Sequence, residues 1–227
     1  MNQNVIGLEC KVKASGLILC EKPSIGIEPT NLPDRSRFGN HGTHTDITPV
    51  RLPNGLWVRS FNGSSSKIVI SDAPELDNMP QLTLEAWVNP SSSAEGNNVI
   101  FYKSVSIFYI KYNTANNKFF TALVTDGTAW GICQAATEVA ITPDTWNHIA
   151  WTYESGSCIF YTNGVGETPV TTFTGDIKDG SGELRLGVLD TSDYWNGYIA
   201  LPRAYNRVLS AGEIKKRRES QRAWFGV

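Results

Sequence analysis

Twenty basic side chains against twenty-two acidic ones leave a net charge of −2 over 227 residues, a balance that gives no global attraction to nucleic acid or to an anionic membrane. No apolar run approaches the ~20 residues of a bilayer crossing. The first ten residues have no basic start and an apolar run broken by Glu9, so they do not read as an export signal.

The 20 Gly and 11 Pro fall mostly between short apolar runs, the punctuation of a many-stranded protein. A chain this long buries roughly 70 % of its unfolded surface, so its core needs no disulfide or metal. Cys10, Cys20, Cys133 and Cys158 show no CxxC spacing and no nearby His suited to zinc. They read as reduced packing residues, with a Cys133–Cys158 pairing across neighbouring strands left open.

Residues 1–15 alternate weakly, carry Lys11 and Lys13, and read as an N-terminal arm or edge strand that contacts a partner. Gly16–Cys20 is a short buried strand. Residues 21–50 turn loop-like, with four prolines and the run Asp34-Arg35-Ser36-Arg37-Phe38-Gly39-Asn40-His41-Gly42. Strands are then expected over 57–62, 67–71, 82–89, 99–103, 106–112, 118–125 and 129–134. In 82–89 the residues Leu82, Leu84, Ala86 and Val88 share one face, as a half-buried strand requires.

Residues 146–153 and 158–164 are rich in aromatic and β-branched side chains and flank the turn 154–157, the pattern of an antiparallel hairpin. Asn163-Gly164 suits the positive φ values of a type I′ turn and sends the chain back over 164–173. Strands over 183–188 and 198–205 follow. Ser210-Ala211-Gly212-Glu213 is a capping box opening the one helix, which runs to about Arg222. The organisation expected is an arm (1–15), a sandwich (16–209) and a C-terminal helix with its tail (210–227).

Phe61-Asn62-Gly63, Leu82-Thr83-Leu84-Glu85-Ala86-Trp87-Val88, Trp146-Asn147-His148-Ile149-Ala150, Tyr161-Thr162-Asn163-Gly164, Leu186-Gly187 and Asn196-Gly197-Tyr198-Ile199 occur in the order seen in laminin G-like domains. Together with Asp34–Gly42 and Tyr205–Ala211, this ordered set makes nearly the whole chain, from Gly16 to Ile214, resemble that branch of the concanavalin A-like lectin and glucanase superfamily. The resemblance implies an all-β, two-sheet antiparallel jelly-roll sandwich with a short C-terminal helix. It also implies work in binding sugars or proteins, often with a structural calcium ion. Where the family closes with Gly-x-Ile-Asp-Glu, this chain has Ala200 and Leu201 after Ile199. Two carboxylates are thereby lost from a calcium site that wants six to eight oxygens. Asp34 is the remaining candidate ligand, with an Asx-turn as its other role; no cofactor is required.

No Glu-x-Asp-x-x-Glu run and no Gly-x-Ser-x-Gly elbow occurs, so the chain reads as non-enzymatic, with a glycoside hydrolase third in order. His148 reads as a packing or hydrogen-bonding residue. His41, His44 and Asp46 form a conceivable metal cluster that loop polarity explains as well. Asp72, Glu75, Asp77, Asp176, Asp179 and Glu183 read as solvated loops, and Lys215–Arg218 as a solvated helix face, since four consecutive residues spread right around a helix.

The first functional expectation is a recognition or assembly module of a virion, a head-decoration or fibre-type protein held in the host cytoplasm before assembly. Its protein partners would meet Lys11, Lys13, Trp224 and Phe225. The alternative is a soluble or surface carbohydrate-binding lectin domain, extracellular in setting, using Asp126, Trp130, Asp190, Asp193 and Tyr194, because sugar rings stack on rim aromatics while carboxylates hold their hydroxyls.

Overall fold

Alternation along residues 82–88 decides the architecture. In the computed structural model of the chain, which describes residues 16–21, 30–104, 107–127, 131–134, 139–178 and 180–227, β6 (Gln81–Pro90) turns Leu82, Leu84, Ala86 and Val88 into the main apolar core. Its sheet runs β13 (Val165–Gly166), β12 (Ser157–Thr162), β11 (Asn147–Glu154), β6, β15 (Asn196–Tyr205), β4 (Trp57–Asn62) and β3 (Thr48–Arg51), with β1 (Leu17–Cys20) also paired to β15. The facing sheet runs β10 (Gly131–Gln134), β9 (Lys118–Leu123), β8 (Phe108–Asn113), β7 (Asn97–Lys103), β14 (Leu184–Leu186), β5 (Lys67–Ile70) and β2 (Gly42–Thr45). With one α-helix among the described residues, α1 (Ala211–Gln221), this is the expected two-sheet antiparallel sandwich.

The hairpin closes as its turn residues dictate. Glu154 pairs with Ser157 across a turn in which Gly156 sits at φ 91°. The next turn places Asn163 at φ 53° and Gly164 at φ 79°, the left-handed pair of a type I′ turn. The return strand is only two residues long, followed by a single bridge from Cys158 to Val170, rather than the ten-residue strand expected. Conversely, β2 (Gly-Thr-His-Thr) and β3 (Thr-Pro-Val-Arg) arise within the segment read as a loop. Four-residue strands with so few apolar side chains carry no apolar alternation to betray them.

β6 is not half-buried, as expected, but covered on both faces. Ser210 and Glu213 form the expected capping box, and the helix lies against the outer side of the sheet. There Glu85, wholly buried, accepts from Arg203 Nη1 at 3.1 Å and Tyr205 Oη at 3.2 Å. Arg217 Nη1 stands 3.5 Å and His148 Nε2 3.7 Å away. Burial opposes charge on this carboxyl, yet His148, Arg217 and Arg203 together hold it below the usual carboxylate range. Arg217 therefore turns inward, unlike the solvated face expected for Lys215–Arg218. Trp87 Nε1 donates to Gln221 Oε1 at 2.7 Å, and Phe225 stacks on Trp87 at 4.3 Å and 19°.

A second buried network ties β1 to the bulge of β15. Glu21 accepts from Arg59 Nη1 and from the backbone N–H of Leu201, which lies at φ 50°. Arg59 Nε donates to His44 Nε2 at 2.9 Å. Burial first, and the Arg59 charge second, lower the His44 pKa to about 4.

Two further expectations are corrected. Asp72 and Asp77 are not merely solvated: both pair with the buried Lys103, at 2.6 and 3.0 Å, because an ammonium taken from water needs anionic partners. Glu75 Oε1 likewise accepts from Asn40 Nδ2. Cys20 and Cys158 are disulfide-bonded rather than reduced, with partners outside the described side chains.

Glu85→Gln removes the buried carboxylate charge that Arg203 and Arg217 face and lowers stability by about 3–5 kcal/mol, read from urea unfolding, with faster amide exchange across residues 211–221. Below pH ~6.5 the unfolded chain takes up a proton at position 44 that the folded chain resists down to about pH 4. Stability therefore falls as pH drops through that window, by on the order of 2 kcal/mol, and His44→Gln flattens this part of the pH–stability curve.

Candidate functional site

Strand parity turns the residues between the core positions of the second sheet outward. In β8, Phe108, Ile110 and Tyr112 enter the core, so Tyr109 and Lys111 face away from it. They lie beside Ala122 and Phe120 of β9, and Tyr102 of β7 pairs with both Tyr109 and Arg185 of β14. Tyr109 and Phe120, each half-buried, meet edge to face at 5.8 Å and 84°. Lys111 Nζ stands 4.6 Å over the Tyr109 ring.

The loop joining β14 to β15 brings carboxylates to this aromatic floor. Asp193 accepts from Lys111 Nζ at 2.6 Å. Asp190 accepts from Tyr102 Oη at 3.1 Å and from Arg185 Nη1 at 3.0 Å, while Arg185 Nε donates to Glu183 at 2.8 Å. Asp190 and Asp193 sit at φ 47° and 52°, left-handed conformations that Asp tolerates better than most residues. Burial, with Asp193 nearby, raises the Tyr109 pKa, so its hydroxyl is a neutral donor at physiological pH. Flat apolar rings beside carboxylates and a neutral phenol can stack a ring face while hydrogen-bonding its edge groups.

Asp190 and Asp193 thus come together as expected, with Tyr194 half-buried in the same loop. Asp126 does not join them: its Oδ1 accepts from the Asp176 backbone N–H at 2.8 Å and shapes the 174–176 turn. Trp130, Lys11 and Lys13 lie outside the described residues. Asp34 is 4 % exposed; one oxygen accepts from the N–H groups of Cys20 and Ser36, the other from Ser36 Oγ and the Asn40 N–H. That is a loop-shaping role, with each oxygen already taking two donors. His41 Nδ1 accepts from the Asp34 N–H while His44 faces Arg59, so the two do not converge. Among the described residues no group of three or more His, Cys, Asp or Glu is placed to hold a metal. Phe225, expected at a partner, is buried within this chain, and Trp224 packs at the same cluster.

Tyr102, Tyr109, Lys111, Phe120 and Arg185 were not singled out by sequence. The available signal was period two: once Ile110 and Tyr112 are assigned inward, Tyr109 and Lys111 must share the other face.

A family model described as the concanavalin A-like lectin/glucanases superfamily matches residues 62–215. The fold is similar to the binding domain of Paraclostridial Mosquitocidal Protein 1 (TM-score 0.72, 15 % identity, 92 % of this chain and 53 % of that one). It is similar too to domain 4 of AbnA, a GH43 extracellular arabinanase from Geobacillus stearothermophilus, in complex with arabinotriose (0.60, 21 %, 77 % and 82 %). A third similar structure is that of botulinum neurotoxin type C, whose cell entry depends upon interaction with two ganglioside molecules (0.63, 13 %, 90 % and 51 %). The chain spans about half the length of the two toxin structures. No curated protein matches it in sequence.

Proposed function

From a chain that belongs to the concanavalin A-like lectin/glucanases superfamily, we propose a non-catalytic carbohydrate-recognition module that binds through the outer face of its second sheet. The observation that carries this reading is the half-exposed Tyr109–Phe120 pair set beside Asp190, Asp193, Lys111 and Arg185. Stacking on one ring of this edge-to-face pair, with the other ring flanking it, supplies contact energy, and the rim carboxylates fix orientation. Glu183, Asp190 and Asp193 are each engaged by Arg185 or Lys111, which suits holding a ligand better than donating a proton to a leaving group.

The arabinotriose complex of the similar arabinanase domain supports a sugar as ligand. The disulfide-bonded Cys20 and Cys158 support an extracellular setting, since such bonds persist in oxidising surroundings. A virion assembly role draws no such support: Phe225, one of its expected contacts, is packed on Trp87 and Trp146.

Tyr109→Ala weakens glycan binding about tenfold in calorimetric titration, on the order of 1.4 kcal/mol for one lost stacking partner. Unchanged affinity in a folded Tyr109→Ala protein places the ligand elsewhere and removes the proposal.

A further inference from the structure

Resting on that reading, we infer that this face selects neutral, hydroxyl-rich sugars and turns away anionic ones such as uronates and sialosides. The ground is how its charges are layered. The carboxylates stand outermost: the side chains of Asp190, Glu183 and Asp193 are 62 %, 44 % and 27 % exposed. Their cations lie beneath, Arg185 at 21 % and Lys111 at 9 %. Lys111 is held down over the Tyr109 ring and Arg185 against Tyr102. Lys118 shares the outward face two residues before Phe120 and adds a cation only at the strand's end.

An arriving ligand therefore meets acceptors before donors. A carboxylate only accepts hydrogen bonds, so the matching ligand presents O–H groups, as every neutral sugar does. A ligand carboxylate presents another acceptor and a like charge. One such contact at about 4 Å in water costs roughly fivefold in affinity, and more where solvent is thinned by the aromatic floor. Reaching Arg185 or Lys111 would require a ligand anion to displace Asp190, Glu183 or Asp193 from ion pairs of 2.6 to 3.0 Å.

The test is calorimetric titration of the full 227-residue chain at low salt with neutral arabino-, xylo- and gluco-oligosaccharides, and with oligogalacturonides and sialyllactose. Neutral sugars bind, and the acidic ones bind at least about fivefold more weakly, a gap that narrows as salt screens the face. In Glu183→Gln/Asp190→Asn the acidic-to-neutral affinity ratio rises about fivefold, whatever happens to either affinity alone. Acidic glycans bound as tightly as neutral ones, or a ratio unmoved in the double variant, overturns the inference and leaves the carbohydrate reading standing. Silence toward both classes brings down the carbohydrate reading, and this inference with it.

Discussion

A carboxylate with no access to water sits between one sheet and the C-terminal helix, and much of the surrounding structure exists to make it tolerable. Glu85 projects from the middle strand of its sheet, opposite the apolar row of Leu82, Leu84, Ala86 and Val88. An isolated charge there would cost far more than a domain's net stability. Arg203 and Tyr205 from β15, His148 from β11 and Arg217 from α1 supply the compensation. The last of these obliges the helix to lie on the sheet. Helix docking thus follows from charge as much as from the apolar contacts of Ile214 and Phe225.

The bulge in β15 serves the same centre. β6 advances two residues between the partners of Ala200 and Arg203, while β15 advances three. The extra residue is absorbed at Leu201, in a left-handed conformation held by Glu21. Arg203 and Tyr205 consequently both reach Glu85 while Ala204 enters the core. Ala200 and Leu201 are packed among apolar neighbours beneath the tail.

What could be read from the residues was set by how much each element depended on local pattern. The hairpin around Gly156 and Asn163-Gly164, the capping box at Ser210 and the inward row of β6 are written in turn chemistry and periodicity. β2 and β3 are not, because their pairing is decided by distant strands. The double burial of β6 escaped for the same reason: whether Thr83, Glu85 and Trp87 face water depends on a helix more than a hundred residues away. Of the face proposed for binding, only the Asp190–Tyr194 loop was legible, through its turn-like composition. Tyr109 and Phe120 gain meaning only when β8 and β9 are laid side by side, and the hydrogen bond from the Asp176 N–H to Asp126 joins residues fifty apart in the chain.

Helix α1 and the tail occupy the middle of one outer face, so the face proposed for a ligand is the opposite one. A sandwich used from one side makes a single shallow contact, and such contacts strengthen by repetition. Tethering two copies turns the second engagement into an intramolecular event and multiplies avidity along a repeating polymer with no new residue added to either site.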